Sequence, residues 1–208
     1  MSLQINFADL FEFTRAYLAG FYTFVAVFYT VRIILLKRSI TREVVFAGSH
    51  FGSTWWNHIT FRFFRVVIWM VCVSRLFFPS LDEYLGLFSS LQNTWLILIG
   101  NAFLALGLIS IMTIHYRLGV YWRSGVDPSG PDKIISNGVY RYSRNPMFLL
   151  VGFTQVGFFL ALPSVFSLLC LIIGLYTLQR QVLAEEVHLS NKFSEEYADY
   201  CANVRRWL

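Results

Sequence analysis

Apolar residues in this chain come in long, nearly unbroken runs. Five stand out, at about 15–36, 60–79, 93–115, 146–162 and 164–184. A helix rising about 1.5 Å per residue needs roughly 20 apolar residues to cross a hydrocarbon layer about 30 Å thick. The runs are of that order and predict an all-α, polytopic membrane protein with about five transmembrane helices. The first runs from Arg15 to Leu36, with Arg32 near its end, and the second starts with Arg62 and Arg65 and stops at Pro79. Only Leu162-Pro163-Ser164 separates the last two. So short a connection forces an antiparallel pair, a tight helical hairpin, and Pro163 cannot continue the helix before it. Beyond the fifth run, Leu189, Phe193, Tyr197 and Tyr200 lie at helical spacing and predict an amphipathic C-terminal helix over 187–200. Residues 124–132 are rich in Gly, Pro, Ser and Asp and read as a loop.

The polar segments between the runs set an orientation. Lys37, Arg38 and Arg42 fall after the first run, and Arg117, Arg123, Lys133, Arg141 and Arg144 after the third. Lys192, Arg205 and Arg206 follow the fifth. The opposite connections hold Asp9 and Glu12 before the first run, and Asp82 and Glu83 after the second. Lys and Arg concentrate on the cytoplasmic side of membrane proteins. The pattern therefore predicts an N-terminus outside and a cytoplasmic C-terminus. The same parity puts residues 137–146 and Glu185-Glu186 on one face. Trp55-Trp56, beside His58 in the 37–58 loop, suits an interfacial anchor.

Composition agrees. Of 208 residues, 56% are hydrophobic and 14% charged, against about 25% charged in soluble domains. One domain, 1–208, is expected at this length. The net charge of +5 is accounted for by loops facing an anionic leaflet, so membrane lipids, not nucleic acid, are the expected partners. Cys72, Cys170 and Cys201 form no CxxC, and His50, His58, His115 and His188 lack the spacing that places two ligands on one helix face. No disulfide framework and no metal site is indicated. The start of the chain lacks the basic opening of a signal peptide, so the first run reads as a retained helix.

Candidate chemistry lies in two polar blocks. The first is Asn137-Gly138-Val139-Tyr140-Arg141-Tyr142-Ser143-Arg144-Asn145-Pro146. Arg141 and Arg144 are three apart, and on a helix or tight turn both guanidiniums can face one anion. Gly138 permits a sharp turn, and Pro146 suits the first position of a helix, whose free N–H groups favour a carboxylate or phosphate. The second block is Glu185-Glu186 at the end of the fifth run. Carboxylates at a helix C-terminus oppose the helix dipole, so pairing with Arg141 or Arg144, or with a ligand amine or hydroxyl, explains them better than local stabilisation. Gly100 and Gly107 read as close-packing positions, and His115 at a run's end as structural.

These residues resemble the isoprenylcysteine carboxyl methyltransferase and phospholipid methyltransferase superfamily of integral membrane enzymes. The resemblance runs through Gly138-Val-Tyr140-Arg141-Tyr142-Ser143-Arg144-Asn145-Pro146-Met147-Phe148, then Glu185-Glu186, then Phe193-Ser194-Glu195-Glu196-Tyr197-Ala198-Asp199-Tyr200. Arg117 to Asp127 looks like the lead-in of bacterial members. It covers about 93–208, while 1–92 carries helices without a motif. Asn145 stands where eukaryotic members have His, Ser194 where Gly is usual, and Asn203 where the carboxyl methyltransferases have Arg. The resemblance implies S-adenosylmethionine as cofactor, held by Gly138, Arg144, Asn145, Pro146, Glu185 and Glu186. Tyr140, Arg141 and Arg205 are then candidates to steady the polar head of a lipophilic small-molecule or lipid acceptor. It also implies a multi-pass protein of a bacterial inner membrane, with no metal. The acceptor stays open among prenylated cysteine, a phospholipid amine, a small thiol and a quinone-like lipid, as does O-, N- or S-methylation.

Two other classes fit parts of the pattern. Membrane sterol and steroid reductases, which use NADPH, have a similar Arg-His-Pro block and Tyr-x-x-Tyr tail. A membrane scaffold without catalysis would bind neither nucleotide.

Overall fold

The computed structural model describes residues 6–40 and 43–208; Arg42, counted above among the loop charges, lies outside them. The chain is mostly helical: α1 (Phe7–Ser39), α2 (Ser53–Phe77), α3 (Thr94–Leu118), α4 (Pro146–Ala161), α5 (Val165–Lys192) and α6 (Ser194–Asn203). Two short strands, β1 (Val45–Phe46) and β2 (Ser124–Gly125), pair in parallel. α1, the α3 region and α5 are each long and apolar enough to cross a membrane. α4 is apolar but has 16 residues, and α2 carries Arg62, Arg65 and Arg75 within its 25. Outward-facing Phe24, Val27, Val31 and Leu35 on α1 are exposed, as a surface that meets lipid requires.

Most helices are longer than their apolar runs, and side-chain caps mark the starts of three of them. The Asn6 side chain accepts from the Ala8 amide at 3.2 Å, so α1 begins well before Arg15. Asn93 caps α3 through the Trp95 amide at 2.8 Å. Ser164 and Ser167 form a reciprocal capping box at the start of α5, which restarts the helix directly after Pro163. Two expectations change. α2 begins at Ser53, so Trp55 and Trp56 sit in its first turn and not in a loop. α5 continues through Glu185 and Glu186 to Lys192, and a separate α6 follows the break at Phe193. The carboxylates are therefore inside a helix, and opposition to its terminal dipole does not explain them.

One buried cluster draws on five helices: Leu18 of α1, Cys72 of α2, Leu104 of α3, Phe158 and Ala161 of α4, and Cys170 of α5. α3 and α4 approach through glycines. A methyl at Gly157 would come within 2.8 Å of Phe103 Cβ and 3.0 Å of the Gly100 carbonyl, and Phe103 stacks on Phe153 at 4.0 Å. Gly100 and Gly107 act as close-packing positions, against α4 backbone and Thr154 respectively.

The two ends of the bundle are closed differently. At one end the 3-10 turn Pro79–Tyr84 brings Asp82 between two arginines. Arg15 of α1 pairs with it at 2.8 Å, and the fully buried Arg75 of α2 also bonds it. The Phe88 amide donates to Pro163 O and the Val165 amide to Gly86 O, each at 2.9 Å, tying this segment to the α4–α5 connection. At the other end β1 and β2 join the loops after α1 and α3, with Gly125 at φ +85° where any side chain would strike the Phe46 carbonyl. There Arg32 donates to the carbonyls of His115 and Gly119 at 3.1 and 2.7 Å. His115 is buried against Tyr29 and Trp122, a packing role.

Asp82→Asn leaves Arg75 buried without its counter-charge. Loss of one partner of a buried pair costs roughly 3–5 kcal/mol, so this variant is expected to unfold at a clearly lower temperature in detergent micelles. Glu83→Gln, at the exposed neighbouring position, should leave the transition where it is.

Candidate functional site

The site lies where α3 ends, α4 begins and α5 passes. Gly138, at φ +62°, opens a 3-10 turn over Gly138–Arg141, and the chain enters α4 with Pro146 at its first position. Asn145 precedes Pro146 but does not cap α4 with its side chain. Its amide instead donates to Glu186 Oε1 at 3.1 Å and to Arg206 O at 3.3 Å. The first-turn N–H groups of α4 are thereby left without a side-chain cap, as an anion-binding helix start requires.

Glu186 is the hub. Arg144 lies 3.4 Å from Oε1, and Arg206 donates to Oε2 through Nε at 2.9 Å and Nη2 at 2.8 Å. Glu186 thus accepts from residues 41 and 20 positions away along the chain. The tail is bound to the same place by its backbone: the Arg144 amide donates to Arg205 O at 2.9 Å, and Ser143 Oγ donates to Arg206 O at 3.3 Å. Glu186 also draws the Arg206 guanidinium above its ordinary pKa, through the hydrogen bond they share.

Beside this cluster is a cavity of about 240 Å³. Arg144, Asn145, Glu185 and Glu186 reach its wall, with Tyr140, Tyr197 and Tyr200 adding aromatic surface. Tyr200 donates to the Tyr140 carbonyl at 2.6 Å. Burial pushes the Tyr200 phenol up to about 12 and raises those of Tyr140 and Tyr197 well above the usual range. All three are neutral hydroxyls at physiological pH and serve as hydrogen-bond groups, not bases. Glu185 accepts from Gln181 at 2.9 Å. Among the described residues, two polar atoms here are buried with no protein partner, Arg144 Nε and His188 Nε2.

A second, mostly apolar cavity of about 270 Å³ adjoins the first. It runs between α1, α2, α4 and α5, and Trp122, Arg123, Met147, Phe148 and Glu185 line both.

The expected residues are not all together. Arg144, Asn145, Glu185, Glu186 and Tyr140 meet at the cavity, and Pro146 starts the helix beside it. Gly138 shapes the turn and lies outside the lining. Arg141 is exposed, with its guanidinium 5.2 Å from the ring of its neighbour Tyr142. Arg205 contributes its carbonyl, and its side chain is exposed. Arg206, read from the sequence only as a tail charge, is the second arginine on Glu186. Nothing in its local sequence marked it; only the chain reversal at Phe193 brings it back. Among the described residues no group of His, Cys, Asp or Glu is placed to hold a metal ion.

The architecture is that of a helical membrane protein with a polar cavity at one end and an apolar cavity beside it. Residues 95–196 match the family described as phospholipid methyltransferase, a segment of the isoprenylcysteine carboxyl methyltransferase and phospholipid methyltransferase superfamily. That family implies a methyltransferase. No curated protein and no solved structure matches the chain.

Glu186→Gln removes the charge that Arg144 and Arg206 share. The amides of Arg144 and Val204, both hydrogen-bonded at 2.9 Å around the tail, should then exchange with deuterium about tenfold faster or more, as local opening becomes easier. Amides in the middle of α3 should keep their protection.

Proposed function

We propose that this chain is an S-adenosylmethionine-dependent methyltransferase acting on a lipophilic acceptor at a membrane surface. The observation that carries this reading is the cluster of Arg144, Asn145 and Glu186 in the wall of a polar cavity that shares Trp122, Met147, Phe148 and Glu185 with an apolar one. Five spans complete the picture. α4 and α5 form a tight hairpin, the N-terminus is outside, and the site opens on the cytoplasmic side. Lys and Arg around the site favour that orientation.

The residues present fit the cofactor. Arg144 has a buried Nε without a protein partner, and the uncapped start of α4 offers N–H groups; together they suit a carboxylate. Glu185, with one oxygen free of Gln181, suits an amine or ribose hydroxyls. Tyr140, Tyr197 and Tyr200 offer flat faces and neutral hydroxyls to an adenine and its ribose. When bound, S-adenosylmethionine supplies an electrophilic methyl group on a sulfonium.

The protein's share of the work is placement. Holding two reactants in register is worth up to about 7–11 kcal/mol of barrier. Glu186 fixes Arg144 and Asn145, so the anion-binding side of the polar cavity is preorganised. Met147 and Phe148, in the first turn of α4, border both cavities and keep water from the place where donor and acceptor meet. The apolar cavity accepts the hydrocarbon part of an acceptor entering from the bilayer. Tyr140 lies close enough to the polar cavity to orient an acceptor head. Arg141 and Arg205 reach that role only if their exposed side chains turn inward.

Isothermal titration with S-adenosylhomocysteine checks this. The wild-type protein in micelles should bind it, and Arg144→Ala combined with Glu186→Ala should weaken binding by about tenfold or more, the loss of at least one charge-assisted contact. Equal affinity in the two proteins removes the site assignment. Binding of NADPH in its place moves the chain to the reductase class.

A further inference from the structure

α5 carries a polar stripe along its apolar length. Gly174, Thr177, Gln181 and Glu185 follow one another at three- and four-residue steps, so they share one face of the helix. All four line the apolar cavity, and Glu185 also reaches the polar one. The two glutamates of the site are held very differently. Glu186 is fixed by Arg144, Asn145 and Arg206. Among the described residues Glu185 is in no ion pair, and its side-chain hydrogen bond comes from Gln181 Nε2 at 2.9 Å. The placement of Glu185 therefore depends on the placement of Gln181.

Asn57, near the start of α2, reaches the same stripe. Its amide donates to Thr177 O at 3.0 Å and to Gln181 Oε1 at 3.4 Å. The direction of these bonds is fixed from one end. A backbone carbonyl only accepts, so the Asn57 group facing Thr177 O is the NH2. That group has two hydrogens, and the second goes to Gln181. Gln181 thus presents its carbonyl oxygen to Asn57, which leaves its own NH2 for Glu185. An ionised carboxylate only accepts, so this is the orientation of the Gln181 amide that serves Glu185. The reversed amide would set oxygen against oxygen at Glu185 and NH2 against NH2 at Asn57. A glutamine has several side-chain rotamers to lose when it makes a bond. Held at its carbonyl end by Asn57, Gln181 has fewer left to lose at the other.

We propose that Asn57 is a positioning residue for the cofactor site: through Gln181 it holds the Glu185 carboxylate at the border of the two cavities, in place for the cofactor's amine or ribose. Asn57 and Gln181 line the apolar cavity and not the polar one, so both act through Glu185 without touching the cofactor. Asn57 also lies outside the matched segment 95–196, and α2 thereby contributes to the site from a distance. This rests on the assignment of Glu185 to the cofactor. A mere clamp between α2 and α5 needs only the bond from Asn57 to Thr177 O. The branch to Gln181 is what separates the two roles.

The test is titration of the protein in non-ionic micelles with S-adenosylhomocysteine, with unfolding temperatures recorded beside it. Gln181→Met keeps the length of the side chain and removes both hydrogen-bonding ends. It should weaken binding about fivefold or more, as loss of a hydrogen bond to a charged group allows. Asn57→Leu should weaken binding about threefold or more in the wild-type background, but change it by less than about 1.5-fold in Gln181→Met, because members of one network are not additive. A clamp would give the same factor in both backgrounds. The wild-type protein supplies a second readout. With isotope-labelled asparagine, the NMR signal of the Asn57 side-chain NH2, identified by its absence in Asn57→Ser, should shift when S-adenosylhomocysteine is added. The signal of Asn101, bonded to Thr14 in the core, should stay where it is. An Asn57 signal that ignores bound S-adenosylhomocysteine overturns the proposal, and so does equal loss with and without Gln181. If Asn57→Leu does not fold, Gln181→Met decides, and undiminished affinity there overturns the proposal by itself. A wild-type protein that does not bind S-adenosylhomocysteine sinks the methyltransferase reading and this inference with it. Binding that is indifferent to Asn57 and Gln181 sinks this inference alone.

Discussion

The Glu186 carboxylate is the interaction on which the functional end of this protein depends. It accepts from Arg144 and Asn145 ahead of α4 and from Arg206 in the tail. A carboxylate held away from bulk water is tolerable only with such partners, and arginines in an apolar surrounding need one just as much. The requirement is mutual. It draws the α4 start, the C-terminal part of α5 and the chain's end into one polar knot, and the cavity forms against it.

The opposite end solves the same problem with different residues. Arg15, Arg75 and Asp82 neutralise one another between α1, α2 and the turn after α2. Backbone bonds from 86–88 lock the α4–α5 connection beside that triad; among the described residues Arg15 Nε and Arg75 Nη1 have no protein partner, but neither arginine lines the polar or the apolar cavity. The Glu186 knot differs in reaching a cavity, where Arg144 Nε has no protein partner among the described residues. A network away from a cavity holds a fold together, and one beside a cavity has capacity left for a ligand. Arg62 and Arg65 also line the apolar cavity, and among the described residues neither is paired with a carboxylate.

Several elements were legible in the sequence. Apolar runs of membrane length marked α1 through α5, and Leu162-Pro163-Ser164 marked the break between the last two. Loop parity put the Arg144 block and Glu186 on one face, and the Arg144–Glu186 pair agrees with that placement. Helix limits were less legible. Hydropathy reports where a helix meets lipid, whereas Asn6, Asn93 and Ser164 determine where it starts by satisfying free N–H groups. Hydropathy likewise missed that α5 runs on past Glu185 into polar sequence and that α2, which has no side-chain cap, starts at Ser53 and takes in Trp55.

Composition and spacing by themselves determined that this is a helical membrane protein with a polar block ahead of α4 and a carboxylate pair in α5. These are local properties, since the cost of exposing backbone and apolar surface acts on each segment independently. Only the tertiary structure decided which charges meet. Arg206 joins Glu186 and Arg141 does not, although both are basic residues near the same motif. The difference lies in the chain reversal at Phe193 and in the direction each side chain takes from its turn. Charge pairing falls off over a few ångströms, so it is decided by how separated segments pack in space.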